Sequence, residues 1–252
     1  MSDNTSPEIP LTDITVDIPG EQTEVKQAPT TPAFAMFRTL VMTALLSGFL
    51  VVMVVQWATP YIEANQKAAT EAAVFNVVKG ASVSKAFYAT DNGLLPAEQA
   101  DGNGIMIYGG YDDSDRLLGI ALPGVANGYA GPVHVMYAYQ PDQKAIIAYQ
   151  VLTMTETPGL GDKVLTDENF LANFHQLDAR LASDNNQLAN AIVTVKSGTK
   201  TQPWEIDAIS GATVTSTTIG VAINQSAQRW LPVIHRSMDL LMPDQEPDGE
   251  TN

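Results

Sequence analysis

A hydroxyl at the start of a predicted helix is the clearest candidate for chemistry in this chain. The run Asp207-Ala-Ile-Ser-Gly-Ala-Thr213 ends a strand-like stretch, and an apparently helical segment follows at once. A helix N-terminus offers unpaired N–H groups and partial positive charge, which favour a phosphate group. The small residues Ser210, Gly211 and Ala212 let the backbone approach a ligand closely. The junction predicts a phosphate site that carries its own hydroxyl, Thr213. The alternative is an ordinary threonine N-cap after a glycine turn.

A second candidate for ligand contact is the glycine- and proline-rich loop from Thr155 to Asp162, which follows a predicted strand. Two glycines and a proline make a rigid loop whose backbone can approach a ligand, with a carboxylate and hydroxyls beside it. The alternative is a tight strand-to-helix turn that binds nothing. A third turn, Gly128 to Pro132, is either structural or one wall of a pocket. The loop residues predicted to contact a ligand are Glu156, Thr157, Gly159 and Leu160.

Composition excludes several classes of function. The chain has 252 residues and a formal net charge of −15 with no basic cluster, which argues against a nucleic-acid partner. It has no cysteine, so disulfides, iron–sulfur clusters and thiolate zinc sites are excluded. None of its three histidines, His134, His175 and His235, is paired at metal-ligand spacing. We therefore predict no metal site on this chain.

The N-terminal part predicts an acidic tail and a membrane anchor. Residues 1–37 are rich in proline, threonine and acidic side chains and lack sustained periodicity, which is typical of a disordered tail. Thr39 to Ile62 contains no charged residue and is long enough to cross a bilayer core of about 30 Å as a helix, which we place at residues 38–59. Trp57 and Tyr61 lie where an interfacial aromatic belt is expected. A cleaved signal peptide is the alternative, although the apolar run is too long and starts too late for one.

One soluble domain is predicted beyond the span. Residues 60–83 are predicted as a linker helix, because alanines recur from Ala64 to Ala73 and Gly80 can end it. Residues 84–242 are predicted as the domain, and residues 243–252 as a disordered acidic tail. Strands are predicted between turn signals at 104–108, 117–122, 133–139, 145–153 and 191–196.

Two helices are predicted within this domain. Asp167 to Leu177 is typical of a short amphipathic helix capped by Thr166 or Asp167. After Thr213 the apolar residues recur at helical spacing, so one face of that helix is expected to pack on the sheet, with Pro232 as a point where it can kink or break. These apolar positions are Ile219, Ile223, Ala227, Trp230 and Ile234. The predicted fold class is α+β, a single transmembrane helix followed by a mainly antiparallel sheet with flanking helices.

The two loops together resemble those of a known family. Ser210-Gly-Ala-Thr213, preceded by Asp207, is similar to the flavinylation motif of the FMN-binding domain in bacterial respiratory complexes. Glu156-Thr-Pro-Gly-Leu-Gly161 is similar to its companion loop, in the right order and separation. With the single span and the Gly128 turn, residues 39–242 resemble the G subunits of Rnf ion-translocating electron-transport complexes. The C subunit of the sodium-translocating NADH:quinone reductase shares both motifs and is the alternative, although the residues after Thr213 look more like the Rnf protein.

This resemblance implies a covalent cofactor. In the family the threonine of the Ser-Gly-Ala-Thr motif carries FMN through a phosphoester bond, which corresponds to Thr213 here, so the neighbouring hydroxyls at 215–218 are not attachment sites. A separate flavin transferase that uses FAD and Mg²⁺ attaches the flavin, and Asp207 and Ser210 are candidates for its recognition. Glu156 and Thr157 are candidates for contacts to the ribityl chain or the ring. The resemblance also implies an inner-membrane protein with its soluble domain on the periplasmic side. Lys26 and Arg38 favour a cytoplasmic N-terminal tail, although Lys67 lies close on the other side of the span.

The implied function is an electron-transfer subunit. It relays electrons between other membrane subunits of an ion-translocating oxidoreductase complex and binds no NAD itself. Two other classes of function remain open from the residues. One is a non-redox, membrane-anchored assembly subunit whose glycine loops are structural. The other is a free-standing flavin reductase with dissociable FMN.

Overall fold

A long apolar helix opens the described part of the chain. The computed structural model describes residues 32–99 and 104–242, so most of the predicted N-terminal tail and all of the predicted C-terminal tail lie outside the described residues. Helix α1 covers Ala33–Val77, 45 residues with Pro60 inside. Its apolar section is long and hydrophobic enough to cross a membrane, and none of its most apolar window is buried against protein. The chain divides into two compact units, Met1–Trp57 and Ala58–Asn252.

The second unit is built on one antiparallel sheet. Its seven strands lie in the order β2-β1-β3-β4-β5-β6-β7, and each neighbouring pair is antiparallel. This confirms the predicted α+β class. Two further strands, β8 and β9, form a separate parallel pair. The strands are β1 Val83–Thr90, β2 Gly93–Pro96, β3 Ile105–Tyr111, β4 Leu117–Asn127, β5 Pro132–Gln140, β6 Ala145–Thr153, β7 Leu177–Asp178, β8 Val193–Val195 and β9 Glu205–Asp207.

Both faces of the sheet are buried. Because side chains alternate along a strand, Val133, Val135 and Tyr137 of β5 point into one core while Met136 and Ala138 point into another. The first core contains the apolar face of helix α3, and the second contains the C-terminal turns of α1. Sheet strands with two buried faces read as nearly continuous apolar runs, as the sequence of β5 does.

Helix α3, Thr213–Arg236, lies across the first face. The five apolar positions predicted to face the sheet are all buried. Pro232 is buried within the helix, which continues to Arg236 without a break. Its N-terminus, where Thr213 lies, is the end that approaches the loops after β4 and β6.

The shorter elements differ most from the predictions. Helix α2 covers only Glu168–Ala172, and Asp167 caps it by accepting a hydrogen bond from the Phe170 N–H at 2.9 Å. The prediction that this helix reaches Leu177 is wrong, because Leu177 pairs with Ile146 of β6 and adds strand β7 to the sheet. The predicted helix from Pro60 is continuous with the span and ends at Val77, before Gly80 at φ +88°.

Candidate functional site

Thr213 is the first residue of α3, and Ala212 occupies the N-cap position. Thr213 is therefore not the N-cap residue of this helix. Gly211 turns the chain into the helix at φ +84°, a left-handed conformation that glycine adopts at little cost. The Thr213 side chain is exposed, and its Oγ1 donates a 3.4 Å hydrogen bond to the Ile209 carbonyl. A long bond at an exposed site leaves this hydroxyl accessible.

Three of the four following hydroxyls are buried and already bonded. Thr215 donates to Glu156 Oε2 at 3.2 Å, and Thr218 donates to the Val214 carbonyl at 3.0 Å. Ser216 is fully buried; its Oγ donates to the Ala212 carbonyl and accepts from the Ile209 N–H. Thr217, one turn after Thr213, is exposed. Burial thus reduces the candidate hydroxyls on this turn to Thr213 and Thr217.

A cavity of about 450 Å³ opens beside Thr213. It brings together two of the predicted loops and the Gly128 turn, which are distant in sequence. Six of the eight predicted site residues line it: Glu156, Thr157, Leu160, Gly211, Ala212 and Thr213. Ser210 lines a different cleft, and Gly159, at φ +78°, lines neither. Glycine at that φ shapes the loop that carries Leu160.

Glu156 ties the walls of this cavity together. Its Oε1 accepts hydrogen bonds from the N–H groups of Tyr129 and Ala130, at 2.9 and 3.3 Å. Its Oε2 accepts the Thr215 hydroxyl, so one carboxylate joins the turn after β4, the loop after β6 and the first turn of α3. The side chain is only 9% exposed.

Two glycines make room for that carboxylate. A Cβ on Gly128 would lie 2.2 Å from Glu156 Oε1. A Cβ on Gly161 would lie 2.6 Å from the Glu156 Cβ and 2.9 Å from Thr215 Oγ1. Gly128, in the turn after β4, and Gly161, in the loop after β6, thus leave space for the Glu156 side chain in its observed position.

An aromatic cluster packs next to the loop that follows β6. Tyr149 of β6 packs against Phe174 with ring centroids 4.2 Å apart and meets Phe170 edge-on at 6.0 Å. Its hydroxyl donates to the Val164 carbonyl in the turn that follows the loop. Burial, with a smaller effect of Asp167, raises the pKa of Tyr149, so the phenol stays protonated as a donor.

Tyr129 is the site residue that the sequence did not single out. It lies at the tip of the β4–β5 turn, 80% exposed, and lines the cavity together with Leu160, which is 51% exposed. The Gly128 turn was considered as a pocket wall, and the structure gives it that position. A large aromatic residue in a short turn that begins and ends with glycine is the signal that could have found Tyr129.

The Asp207 end of the motif faces a different cleft, of about 730 Å³. Asp207 accepts hydrogen bonds from the N–H groups of Gly198 and Thr199, and its own backbone N–H and carbonyl bond to the buried side chain of Asn173. Lys200 donates to Asn173 Oδ1 at 3.1 Å, and burial lowers the pKa of this lysine. Asp207 therefore has a clear structural role in holding the loop that leads to Thr213.

Thr213 also lines a second cavity, of about 550 Å³, on its other side. Thr217, Val125, Val214 and Val221 lie along it. The described residues that line it carry no formal charge.

Within the described part of the chain, no group of three or more acidic or histidine side chains is placed to hold a metal ion.

Part of the domain matches a known family. Residues 128–228 match the FMN-binding domain family. This range begins at the Gly128 turn and includes the Glu156 loop, the Asp207 segment and most of α3.

Two curated relatives are components of ion-translocating complexes by name. The G subunit of the proton-translocating ferredoxin:NAD(+) oxidoreductase complex of Clostridium ljungdahlii is 23% identical over 78% of this chain and 90% of its own length. The G subunit of the Na(+)-translocating ferredoxin:NAD(+) oxidoreductase complex of Acetobacterium woodii is 29% identical over 66% of this chain and 71% of its own length.

A solved structure shares the fold. NqrC of Shewanella oneidensis superposes with a TM-score of 0.53 at 19% identity, over 71% of this chain and 98% of its own. Residues 128–228 thus match the FMN-binding domain family, in a chain that carries one helix long and apolar enough to cross a membrane and whose curated relatives are named as G subunits of ion-translocating oxidoreductase complexes.

Proposed function

We propose that this chain is the electron-transfer subunit of a membrane-bound ion-translocating oxidoreductase complex and that it carries FMN on Thr213 through a phosphoester bond. The observation that carries the attachment site is the exposed Thr213 hydroxyl at the edge of the 450 Å³ cavity. The FMN-binding domain and the names of the curated relatives support the electron-transfer function.

The residues present fit the group. The cavity lies within the range of about 300–1,000 Å³ that small-molecule pockets occupy. Tyr129 and Leu160 expose large apolar surfaces to it, which suit a planar aromatic ring. A Cβ at Gly211 would meet no atom within 4 Å, so the approach to Thr213 is open on that side.

The start of α3 suits the phosphate. A 24-residue helix begins at Thr213, and its N-cap is an alanine, which has no side-chain acceptor for the N–H groups of the first turn. No acidic residue lies in that turn to compete with an anion. On transfer from FAD, a bond would form between Thr213 Oγ1 and the phosphorus of the FMN half, the pyrophosphate P–O bond to the AMP half would break, and AMP would leave while the hydroxyl proton passes to solvent. The net gain in mass is that of FMN minus water.

FMN supplies electron-carrying chemistry when bound, and the protein supplies its placement. Tyr129 and Leu160 would contact the ring, and the Glu156 hydrogen bonds fix the turn and the loop that carry them. The helix N-terminus would hold the phosphate. Covalent attachment prevents loss of the flavin from a domain that lies outside the cytoplasm.

The remaining assignments belong to the same proposal. A flavin transferase that uses FAD attaches the flavin, and the electrons pass to and from neighbouring membrane subunits. The anchor lies in the inner membrane, with the soluble domain on the periplasmic side. The names of the curated relatives favour the G component of such a complex, whereas the structural similarity to NqrC bears on the fold alone.

Replacement of the attachment residue tests the proposal. We expect Thr213→Ala, expressed as the full chain with the transferase, to lose covalent flavin completely, because no other exposed hydroxyl beside the 450 Å³ cavity lies at the helix N-terminus. Flavin fluorescence in denaturing gels and the intact mass of the protein measure it. Thr217→Ala is the matched control, an exposed threonine one helical turn away, and should retain full labelling. Label that persists in Thr213→Ala would refute the assignment.

A further inference from the structure

A buried negative charge adjoins the proposed flavin site without a cationic partner. Of the described residues that line the 450 Å³ cavity, only Glu156 carries a formal charge. The ion pairs found among the described residues are Lys85–Asp115, Arg116–Asp112, Arg180–Asp178 and Arg229–Asp91, so none of them involves Glu156. Such a charge acts over a longer range than one exposed to solvent, since screening by water and salt is weaker in a buried site.

The hydrogen bonds around Glu156 suit the ionised form. Both carboxylate oxygens accept, two bonds from backbone N–H groups and one from the Thr215 hydroxyl. An ionised carboxylate is an acceptor only, so this donor set meets its needs without any cation. The backbone donors cannot be altered by side-chain substitution, but Thr215 can.

We propose that Glu156 is a positioning residue that also sets the redox potential of the flavin on Thr213 by its charge. This inference rests on the proposed function. Reduction adds two electrons, which come from a donor subunit, and protons from solvent. A fixed negative charge in the same cavity opposes the gain of electron density. The charge therefore lowers the midpoint potential and favours passing electrons onward.

Glu156→Gln separates charge from geometry. The amide oxygen can accept the same two backbone N–H groups, and the amide nitrogen can donate to Thr215 Oγ, which is able to accept. All three contacts are thus available to the variant, and only the charge is lost. Asp162→Asn is the matched control, a carboxylate in the same loop region that does not line the cavity.

A second variant should shift the potential the other way. Thr215→Val keeps the shape of the side chain but removes the hydroxyl that bonds Glu156 Oε2. The carboxylate then keeps its charge with one donor fewer to neutralise it. Its field at the flavin becomes stronger, so the potential falls.

The measurement is a spectroscopic redox titration of the full-length, flavin-loaded proteins in detergent. For Glu156→Gln we expect the ratio of reduced to oxidised flavin at a fixed solution potential to rise about tenfold, which for a two-electron couple corresponds to about 30 mV. Thr215→Val should change that ratio in the opposite direction, and Asp162→Asn should leave it unchanged. A purely structural Glu156 would move the thermal unfolding of the flavin-free proteins but not the potential.

The outcomes distinguish the two proposals. Wild-type protein without covalent flavin would contradict the proposed function. Flavin on Thr213 with an unchanged potential in Glu156→Gln would overturn the role of Glu156 alone. Failure of Glu156→Gln to take up flavin leaves Thr215→Val as the deciding variant, and a potential that does not fall there would overturn it too.

Discussion

The two ends of the Asp207–Thr213 segment are built in opposite ways. At one end Asp207 is held by four hydrogen bonds, to Gly198, Thr199 and both polar atoms of the Asn173 side chain. At the other end Thr213 is exposed, and its hydroxyl makes a single 3.4 Å bond. One short motif therefore has a firmly hydrogen-bonded end at Asp207, the fixed end, and an accessible end at Thr213, the open end. The bonds at the fixed end limit the positions that the Thr213 hydroxyl can take beside the cavity.

The difference also explains the residue types. Asp207 needs a carboxylate because two adjacent backbone N–H groups point at it, and this pattern favours an acceptor with two oxygens. Gly211, between the two ends, must take φ +84°. The exposed Thr213 hydroxyl has only one long hydrogen bond to lose, which suits the modification proposed for it.

The largest effect on stability is expected from a substitution at the fixed end, next to Asp207. Asn173→Ala removes a buried side chain that bonds both the N–H and the carbonyl of Asp207 and accepts from Lys200. Because backbone groups of Asp207 then lose their partners, we expect the free energy of unfolding to fall by about 3 kcal/mol. Thermal unfolding of the full-length protein measures it. Asn169→Ala, an exposed asparagine four residues earlier, is the control and should change little. Equal stability of the two variants would show that the Asn173 hydrogen bonds do not stabilise this end of the segment.

An intermediate effect, on the exposure of the flavin rather than on stability, is expected at the open end, next to Thr213. Tyr129→Ala should change the free energy of unfolding by no more than about 0.5 kcal/mol, because its side chain is 80% exposed. It should nevertheless expose one side of the flavin ring. We expect brighter flavin emission and faster quenching by iodide than in the wild type. Identical quenching in the two proteins would mean that the ring lies away from Tyr129.

The smallest effect concerns acid stability near the fixed end. Glu205 of β9 accepts hydrogen bonds from the N–H groups of Thr201 and Gln202, and these bonds lower its pKa in the folded protein. A lowered folded-state pKa contributes stability above the unfolded-state pKa, and the contribution is lost as the pH falls through the folded-state value. Glu205→Gln should therefore be slightly less stable than the wild type at neutral pH.

That difference should shrink as the pH falls below the ordinary glutamate pKa of about 4.3 and through the lower folded-state value. Urea unfolding of both proteins at a series of pH values from neutral to strong acid measures it. A difference that stays constant with pH would assign the effect to shape rather than to charge.

Periodicity and turn chemistry predicted the large elements correctly. Strands β3 to β6 and helix α3 all form where long apolar or alternating runs lie between turns. Strands β1 and β2 were not predicted. β1 mixes a lysine and two alanines with its aromatics, and β2 is a four-residue strand bounded by Gly93 and Pro96, both residues that argue against a strand interior. Strand β7 has two residues and depends on its pairing with β6, which local sequence does not encode.

Less of the site than of the fold could be predicted from the sequence. The resemblance to the FMN-binding family is confirmed, and the helical spacing of Ile219 and Ile223 places Thr215 and Ser216 on the same buried face. The assignment of Thr213 as the attachment residue stays a prediction. Sequence did not indicate that Glu156 bonds Tyr129 and Thr215, because these contacts join positions 27 and 59 residues apart. Only the assembled sheet brings those three segments together.

The order of strands in the sheet has a consequence for synthesis. From β3 to β6, strands adjacent in the sheet are also consecutive along the chain, so each can pair with its predecessor as the chain becomes available from its N-terminal end. Chains are made from the N-terminus at about 5–20 residues per second. The Gly128 turn and the Glu156 loop are therefore synthesised before residue 213. Thr213, Val214 and Thr215 are synthesised after the other residues that line the cavity. The flavin transferase that we propose would therefore meet a complete attachment site only after the sheet has formed.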